Sequence, residues 1–285
     1  MAFVQGDRRK RFSGVTRCIA LALAAVTLIC GCTRTALPPI VEAKRVFLIV
    51  MENHSYEEAV QGAYTAELAK QAGVATNYHA ITHPSVPNYL AITSGQTWGI
   101  SDDIYRALPP QDIGHQLTSA NITWRAYMEA MVPGRCFDSP KPFDGDHNPF
   151  AYYGGRCPIN VVPFSELSQD LTTTATRFSW IGPDSCHDQH DCSIAAGDDW
   201  LRQTVGTITS SPAWQADAAL FITWDEDNGR NDNQVLTLVL RPDVKHRVSA
   251  VSYDHYSLLA TIEDILGVPR LANATTAQPM RDLIG

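Results

Sequence analysis

The sequence has no excess of basic residues and no apolar run long enough to span a membrane. It contains 22 Lys and Arg against 30 Asp and Glu, which gives a formal net charge of -8. Because nucleic-acid binding relies on basic patches, this balance argues against it. The apolar run at residues 18–30 is shorter than the ~20 residues that a transmembrane helix needs. Internal repeats and low-complexity tracts are also absent, which leaves an ordinary globular composition.

The N-terminal segment has the pattern of a bacterial export signal. Basic residues at positions 8–11 precede the apolar run, as they do in signal peptides. Residues 29–32 (ICGC) resemble a lipobox with Cys32 as the lipidated residue, and ordinary cleavage nearby is the alternative. We therefore predict export from a bacterial cell, either as an envelope lipoprotein attached to the membrane through Cys32 or as a secreted protein. The predicted divisions are a signal peptide at 1–31, a tether at 32–43 and a catalytic domain at 44–285.

Four cysteines lie in the predicted domain at 44–285, namely Cys136, Cys157, Cys186 and Cys192. An even number in an oxidising compartment favours disulfides. Three pairings are conceivable, and nearness in sequence favours Cys136–Cys157 and Cys186–Cys192. The alternative is a zinc–thiolate site, which the absence of CxxC spacing disfavours.

Strand-like and helix-like segments alternate along the chain, which predicts an α/β fold with a mostly parallel central sheet flanked by helices. A segment rich in Pro, Gly, Asp and aromatic residues at 133–155 is expected to be a long functional loop. The predicted strands are 45–51, 74–81, 122–128, 178–181, 219–224 and 235–240. The predicted helices are 56–72, 87–93, 112–120, 198–209 and 256–266.

Two of these strands end in oxygen-bearing side chains. Glu52 and Asn53 follow the first strand, and Asp225 and Glu226 follow the strand at 219–224. Ligand sites of open α/β sheets lie at the carboxyl ends of the strands, so the two pairs are expected to meet. Carboxylate and amide oxygens are ligands for hard metal ions. Ordinary turn chemistry is the alternative for each pair alone.

The segment at residues 83–88, His-Pro-Ser-Val-Pro-Asn, lies between these two strands in sequence. The two prolines fix the backbone around Ser85, which predicts a rigidly held hydroxyl that a metal could activate as a nucleophile. Asn88 is a candidate for holding a transferring oxygen. The alternative for Ser85 is a helix cap, with Pro87 in the first helical turn.

Several histidines lie close to predicted strand ends or loops. His190 lies in a loop bracketed by Cys186 and Cys192, and His147 lies in the long loop. Solvated or structural histidines are the alternative in both places. Further candidates for contacting a ligand or for supporting such contacts are His79, His83, His187 and Asp188.

Seven motifs occur in an order that is characteristic of one family and together cover nearly the whole chain after the signal. They are residues 51–55, 82–91, 147–150, 187–191, 197–201, 223–227 and 255–259. On these motifs the chain resembles the bacterial phosphoesterase family that joins secreted acid phosphatases and phosphatidylcholine-type phospholipases C. This family lies in the alkaline-phosphatase-like superfamily, so the resemblance implies that fold.

The resemblance also implies roles for individual residues. Ser85 matches the nucleophile, which also binds the metal. His147 and His190 match histidines that hold the phosphate and protonate the leaving oxygen, and one of His79 and His83 matches a further histidine. The expected cofactor is one divalent ion, with Ca, Mg, Mn, Fe and Zn all open, and the expected pH optimum is acidic. The metal ligands implied are Glu52, Asn53, Asp225, Glu226 and Ser85.

The function expected from the resemblance is an exported acid phosphatase that hydrolyses phosphate monoesters through a phosphoserine at Ser85. The expected partner is a small phosphorylated substrate or a phospholipid head group. One alternative is a phosphodiesterase of the phospholipase C type, and a remote one is a surface lipoprotein without catalytic activity. A sulfatase is disfavoured because no Cys/Ser-x-Pro-x-Arg motif occurs at Ser85.

Overall fold

The computed structural model describes residues 44–215 and 217–285. The predicted signal peptide, the tether and the lipidation site at Cys32 lie outside the described residues and stay predictions. Within the described part of the chain, none of the helices combines the length and the apolar character needed to cross a membrane.

An eight-stranded sheet with the order β5-β4-β6-β1-β7-β8-β2-β9 forms the centre of the fold, and β3 and β10 form a separate parallel pair. Among the described strands of the large sheet, β8 alone runs antiparallel to its neighbours. The strands are β1 Arg45–Met51, β2 Gly73–Ala75, β3 Tyr78–His79, β4 Trp124–Met128, β5 Val161–Pro163, β6 Phe178–Gly182, β7 Ala218–Trp224, β8 Thr237–Leu240, β9 Arg247–Ser249 and β10 Tyr253–Asp254.

Helices flank this sheet, as the alternation of segments predicts. Helix α3 packs against α8, and α2 packs against α6. The helices are α1 Tyr56–Ala59, α2 Ala63–Ala69, α3 Ser85–Ser94, α4 Ile113–Ser119, α5 Leu167–Asp170, α6 Ile194–Thr209, α7 Pro212–Gln215, α8 His255–Leu266 and α9 Arg281–Ile284.

The two central strands explain why the site lies where it does. Every residue of β1 and β7 is buried, because both strands are apolar on both faces, as expected of parallel strands covered on each side. They pair in parallel from Arg45 with Ala218 to Met51 with Trp224. The polar residues that follow the two strands are therefore delivered to the same edge of the sheet.

The predicted helix at 56–72 is in fact two helices, separated at Gly62. Helix α1 begins with a capping box formed by Ser55 and Glu58. A Cβ atom at Gly62 would lie 2.5 Å from Oδ1 of Asp198, whose carboxylate accepts hydrogen bonds from the backbone of Tyr64 and Thr65 at 2.7 and 2.8 Å. This long-range contact with α6 breaks the helix, and local helix propensity gives no sign of it.

Two further boundaries differ from the predictions. The predicted strand at 74–81 divides into β2 and β3, because the chain leaves the large sheet to pair with β10. Helix α6 begins four positions before the predicted start, at Ile194, where the Ser193 side chain accepts a hydrogen bond from the Ala196 amide. That hydroxyl satisfies one of the free amides of the first turn.

A buried carboxylate in α8 provides a test of the core. Glu263 is fully buried and accepts a hydrogen bond from the Leu271 amide at 2.9 Å. Its Oε2 has no partner among the described residues. Burial raises the pKa of Glu263 from 4.5 to about 8. The folded state therefore holds this proton more tightly than the unfolded state, and its contribution to stability falls as the pH rises from about 4.5 to about 8.

We expect Glu263→Gln to raise the free energy of unfolding at pH 8 by at least ~1 kcal/mol relative to the parent protein, and to change it little at pH 5. Thermal unfolding at both pH values measures this difference. Glu67→Gln, at an exposed position of α2, is the matched control and should change little at either pH. An effect of Glu263→Gln that is equal at pH 5 and pH 8 would contradict the assignment.

Candidate active site

Ser85 is the first residue of α3. Pro84 precedes it in an extended conformation and ends the loop that leads into the helix. Pro87 lies in the first turn, where the missing amide donor costs nothing. The Val86 amide is held by Oδ1 of Asp103 at 3.0 Å, which fixes the backbone beside Ser85. The side chain is therefore held at a helix N-terminus, with 7% of the residue exposed.

Oxygen atoms from both strand ends surround the Ser85 hydroxyl. Its Oγ lies 3.1 Å from Oε2 of Glu52, 3.3 Å from Oδ1 of Asn53 and 3.4 Å from Oε1 of Glu226. Asp225 lies behind Asn53 and accepts a hydrogen bond from the Asn53 amide at 3.1 Å. The structure thus brings together all five residues that the sequence predicts as metal ligands.

Burial disfavours the ionised form of each carboxylate in this cluster. Burial, followed by the charge of Asp225, raises the pKa of Glu52 well above its ordinary value. Burial raises the pKa of Asp225 to about 6. Burial and then the charge of Asp225 raise the pKa of Glu226 to about 9. A bound cation would oppose each of these shifts, because it stabilises the charged carboxylates.

The donors fit a hard divalent cation. Oδ2 of Asp225 is buried and has no hydrogen-bond partner among the described residues, and carboxylate and amide oxygens are the ligands that such ions prefer. Glu52, His147 and Asp188 form a second group with metal-ligand spacing. There, however, Nδ1 of His147 is already hydrogen-bonded to Asp188. The oxygen set around Ser85 is therefore the better fit.

His147 lies beside this cluster and is held by Asp188. Its Nδ1 is 2.9 Å from Oδ2 of Asp188, and its Nε2 is 3.5 Å from Oε1 of Glu52. Burial lowers the pKa of His147, but the charge of Glu52 and the hydrogen bond to Asp188 outweigh it and raise the pKa to about 10. These neighbours favour the protonated form of the His147 imidazole.

His190 is close to His147, at 5.7 Å between ring centroids. Its ring is hydrogen-bonded to Asp191 at 2.8 Å, and its amide donates to Oδ1 of Asp188 at 2.7 Å. The Cys186–Cys192 disulfide brackets this segment, and a second disulfide joins Cys136 to Cys157. These are the pairs that nearness in sequence favours. Asp188 thus positions both histidine segments.

The structure separates the remaining histidine candidates. His83 joins the site, since its ring lies 3.0 Å from Oε2 of Glu226 and 3.3 Å from Oδ1 of Asp227. His79 is instead bonded to the Asp232 carbonyl and to the Asn77 side chain. The sequence leaves the choice between His79 and His83 open, and of the two only His83 has its ring beside the cluster around Ser85.

His187 also turns away from Ser85. Its Nδ1 lies 2.9 Å from Oε2 of Glu129. Its ring stacks on Trp200, with 6.3 Å between the ring centroids. Glu129, Asp184 and His187 form a separate group with metal-ligand spacing. The candidate role of His187 beside Ser85 stays a prediction, and its observed partners lie in this separate group. Neighbouring side chains in an irregular loop need not point to the same side, which is why Asp188 and His187 diverge.

Asn88 has a different role from the expected one. Its Oδ1 accepts hydrogen bonds from the amides of Ile81 and Thr82, and its Nδ2 donates to the Thr82 carbonyl at 2.8 Å and to Oε2 of Glu226 at 3.1 Å. The side chain is fully buried. With both ends of its amide occupied, Asn88 positions Glu226 and the loop before Ser85, and it does not offer a donor to a transferring oxygen.

Four residues near the cluster were not among the predicted site residues. Tyr89 donates a hydrogen bond to Glu52, and its position four residues after Ser85 on a helix is a signal that could have indicated it. Asp227 directly follows Asp225 and Glu226 in sequence. It accepts hydrogen bonds from three loop amides, those of Gly229, Asn231 and Asn233. Asp103 has no local sequence signal. His255 contacts the Asp225 carbonyl at 2.6 Å, and burial lowers its pKa to about 4.

Comparisons with known proteins identify the family of the chain. The model of the phosphoesterase family matches residues 60–269. The phosphatidylinositol-3-phosphatase of Mycobacterium tuberculosis is 31% identical over 265 residues, which cover 90% of this chain and 86% of that protein. An acid phosphatase of Aspergillus fumigatus is 27% identical over 248 residues, which cover 80% of this chain and 56% of that protein. The alignment thus spans little more than half of the fungal enzyme.

Solved structures show the same fold. A protein of the alkaline phosphatase superfamily from Vibrio parahaemolyticus superimposes with a TM-score of 0.59 at 13% identity, covering 82% of this chain and 70% of that one. A lipoteichoic acid synthase from Listeria monocytogenes gives a TM-score of 0.58 at 9% identity, covering 86% and 76%. The predicted alkaline-phosphatase-like α/β fold is confirmed.

The burial of the Asp225 carboxylate can be tested by its effect on stability. We expect Asp225→Asn to stabilise the protein by about 1–3 kcal/mol at pH 7.5 in the presence of chelator, because a buried carboxylate with a raised pKa disfavours the folded state when it ionises. The Asn53 amide keeps its acceptor. Thermal unfolding measures the change, and Asp232→Asn, at an exposed position of the nearby loop, is the control. A lower unfolding temperature for Asp225→Asn would show that the carboxylate is already compensated within the protein.

Proposed function

The chain belongs to the phosphoesterase family and is a phosphate ester hydrolase, and from this premise we propose that it is a metal-dependent acid phosphatase. The proposed reaction is hydrolysis of phosphate monoesters through a phosphoserine on Ser85. The observation that carries the proposal is the position of the Ser85 hydroxyl, within 3.1–3.4 Å of oxygens from Glu52, Asn53 and Glu226. A buried hydroxyl in such a ring of acidic oxygens suits a metal-activated nucleophile.

The proposed roles follow from the contacts. A divalent ion held by Glu52, Asn53, Asp225 and Glu226 would lower the pKa of the Ser85 hydroxyl and neutralise phosphate charge. The Ser85 hydroxyl gives up its proton to solvent, and Ser85 Oγ forms a bond to phosphorus as the bond from phosphorus to the leaving oxygen breaks. Water then hydrolyses the phosphoserine, which releases phosphate, and the Ser85 oxygen takes up a proton from solvent to restore the hydroxyl.

The protonated His147 supplies the proton that the leaving oxygen needs. Its Nδ1 is hydrogen-bonded to Asp188, so the proton for transfer is the one on Nε2. Once neutral, the same nitrogen can take a proton from the water that attacks the phosphoserine. His190, whose ring lies beside that of His147, is the proposed contact to the phosphate.

The substrate and the location are also part of the proposal. The relatives with high coverage or shared motifs are named as a phosphatidylinositol-3-phosphatase and acid phosphatases, which favours monoesters over diesters. A small phosphorylated molecule is the substrate class. The two disulfides support export, because such bonds persist in oxidising compartments.

The reaction can be tested with p-nitrophenyl phosphate and bis-p-nitrophenyl phosphate, each with and without chelator. We expect the monoester to be cleaved with an acidic optimum, and we expect chelator to remove the activity. Preference for the diester would instead indicate a phosphodiesterase of the phospholipase C type. No cleavage of either ester by the folded protein with added divalent ions would contradict the proposal.

The nucleophile can be tested by substitution. We expect Ser85→Ala to lower kcat by at least ~1000-fold, because the bond to phosphorus can no longer form. Ser94→Ala is the matched control, since Ser94 is a buried serine of the same helix that bonds only to nearby groups, the Leu90 and Gln96 carbonyls and the Trp98 indole. Activity of Ser85→Ala close to that of the parent protein would exclude Ser85 as the nucleophile.

A further inference from the structure

Tyr89 lies one helical turn after Ser85, on the same face of α3. Its ring is buried, with 2% of the residue exposed, and its hydroxyl donates a hydrogen bond to Oε1 of Glu52. The other oxygen of that carboxylate, Oε2, faces the Ser85 hydroxyl at 3.1 Å. Tyr89 therefore holds Glu52 by the oxygen that Ser85 does not contact, and this sets the direction of the oxygen that faces Ser85.

The same side chain also holds His147. The two rings lie nearly parallel, with centroids 5.5 Å apart and planes 9° apart. Nε2 of His147 is 3.5 Å from Oε1 of Glu52, the oxygen that Tyr89 binds. The hydroxyl of Tyr89 thus fixes a proposed metal ligand, and its ring fixes the orientation of the proposed proton donor.

A role in packing alone does not account for this choice of partner. A buried tyrosine needs some acceptor for its hydroxyl. In the same part of the fold, Tyr153 meets this need with an uncharged partner. Tyr153 is also buried, and its hydroxyl bonds to Oγ1 of Thr93 at 3.0 Å. Tyr89 is instead paired with a carboxylate.

We propose that Tyr89 is a positioning residue that orients Glu52 for metal binding through its hydroxyl and His147 for proton transfer through its ring. The inference rests on the proposed function for its effect on turnover. Its effect on metal affinity can be measured without turnover. Groups that hold the ligands of a metal in this way typically change metal affinity by 10–100-fold when they are removed.

The experiment compares Tyr89→Phe, Tyr89→Leu and the control Tyr153→Phe, with Mn²⁺ as the probe ion. Titration calorimetry gives the Kd for Mn²⁺, and p-nitrophenyl phosphate hydrolysis gives kcat at saturating Mn²⁺. We expect Tyr89→Phe to weaken Mn²⁺ binding by about 10-fold or more and to recover a kcat near that of the parent protein once the ion saturates. Tyr153→Phe should leave both quantities unchanged.

Tyr89→Leu separates the ring from the hydroxyl. It should weaken Mn²⁺ binding as Tyr89→Phe does, and in addition lower kcat at saturating Mn²⁺ by roughly 10-fold or more, since misplacement of a catalytic group is costly. An unchanged Kd in Tyr89→Phe, or an equal loss in Tyr153→Phe, would overturn the proposal. A parent protein that binds Mn²⁺ but hydrolyses no phosphate ester would overturn the proposed function, while the loss of affinity in Tyr89→Phe would still support the role of Tyr89 toward Glu52.

Discussion

The site depends on one constraint, the crowding of buried carboxylates at the edge of a parallel sheet. Glu52, Asp225 and Glu226 are all buried, and β1 and β7 place them there because they are adjacent parallel strands that end together. Charges that are removed from water need a partner of opposite sign. Within the described residues, Oδ2 of Asp225 has no partner. We propose that a cation lies among these carboxylates and stabilises their ionised forms.

Helix α3 links this constraint to chemistry. It carries the proposed nucleophile at position 85 and, three and four residues later, the two side chains that hold Glu226 and Glu52. The spacing places all three on one face of the helix. Docking of α3 on the sheet therefore positions the proposed nucleophile and orients two proposed metal ligands at the same time. If the same side chains lay on separate loops, they would not be held in a fixed position relative to one another by one helix.

The parts of the fold that could be predicted from the sequence were those fixed by local pattern. The strand at 45–51 and the helix after Ser85 follow from apolar runs and prolines, and the polar pairs after two strands follow from the topology of parallel sheets. Long-range contacts gave no such signal. Gly62 breaks a helix because of Asp198, and Asn88 is occupied by loop amides and Glu226. His187 lies next to Asp188 in sequence and His79 lies four residues before His83, but the rings of both bond to other partners.

The most direct test of this account is a crystal structure of the protein with Mn²⁺, in which anomalous scattering locates the ion. The account predicts one peak within the ring formed by Ser85, Glu52, Asn53 and the Asp225-Glu226 pair, with Oδ2 of Asp225 among the ligands. A peak between Glu52, His147 and Asp188 would contradict the choice of ligands. No peak at either place would contradict the proposal that a cation lies among the carboxylates.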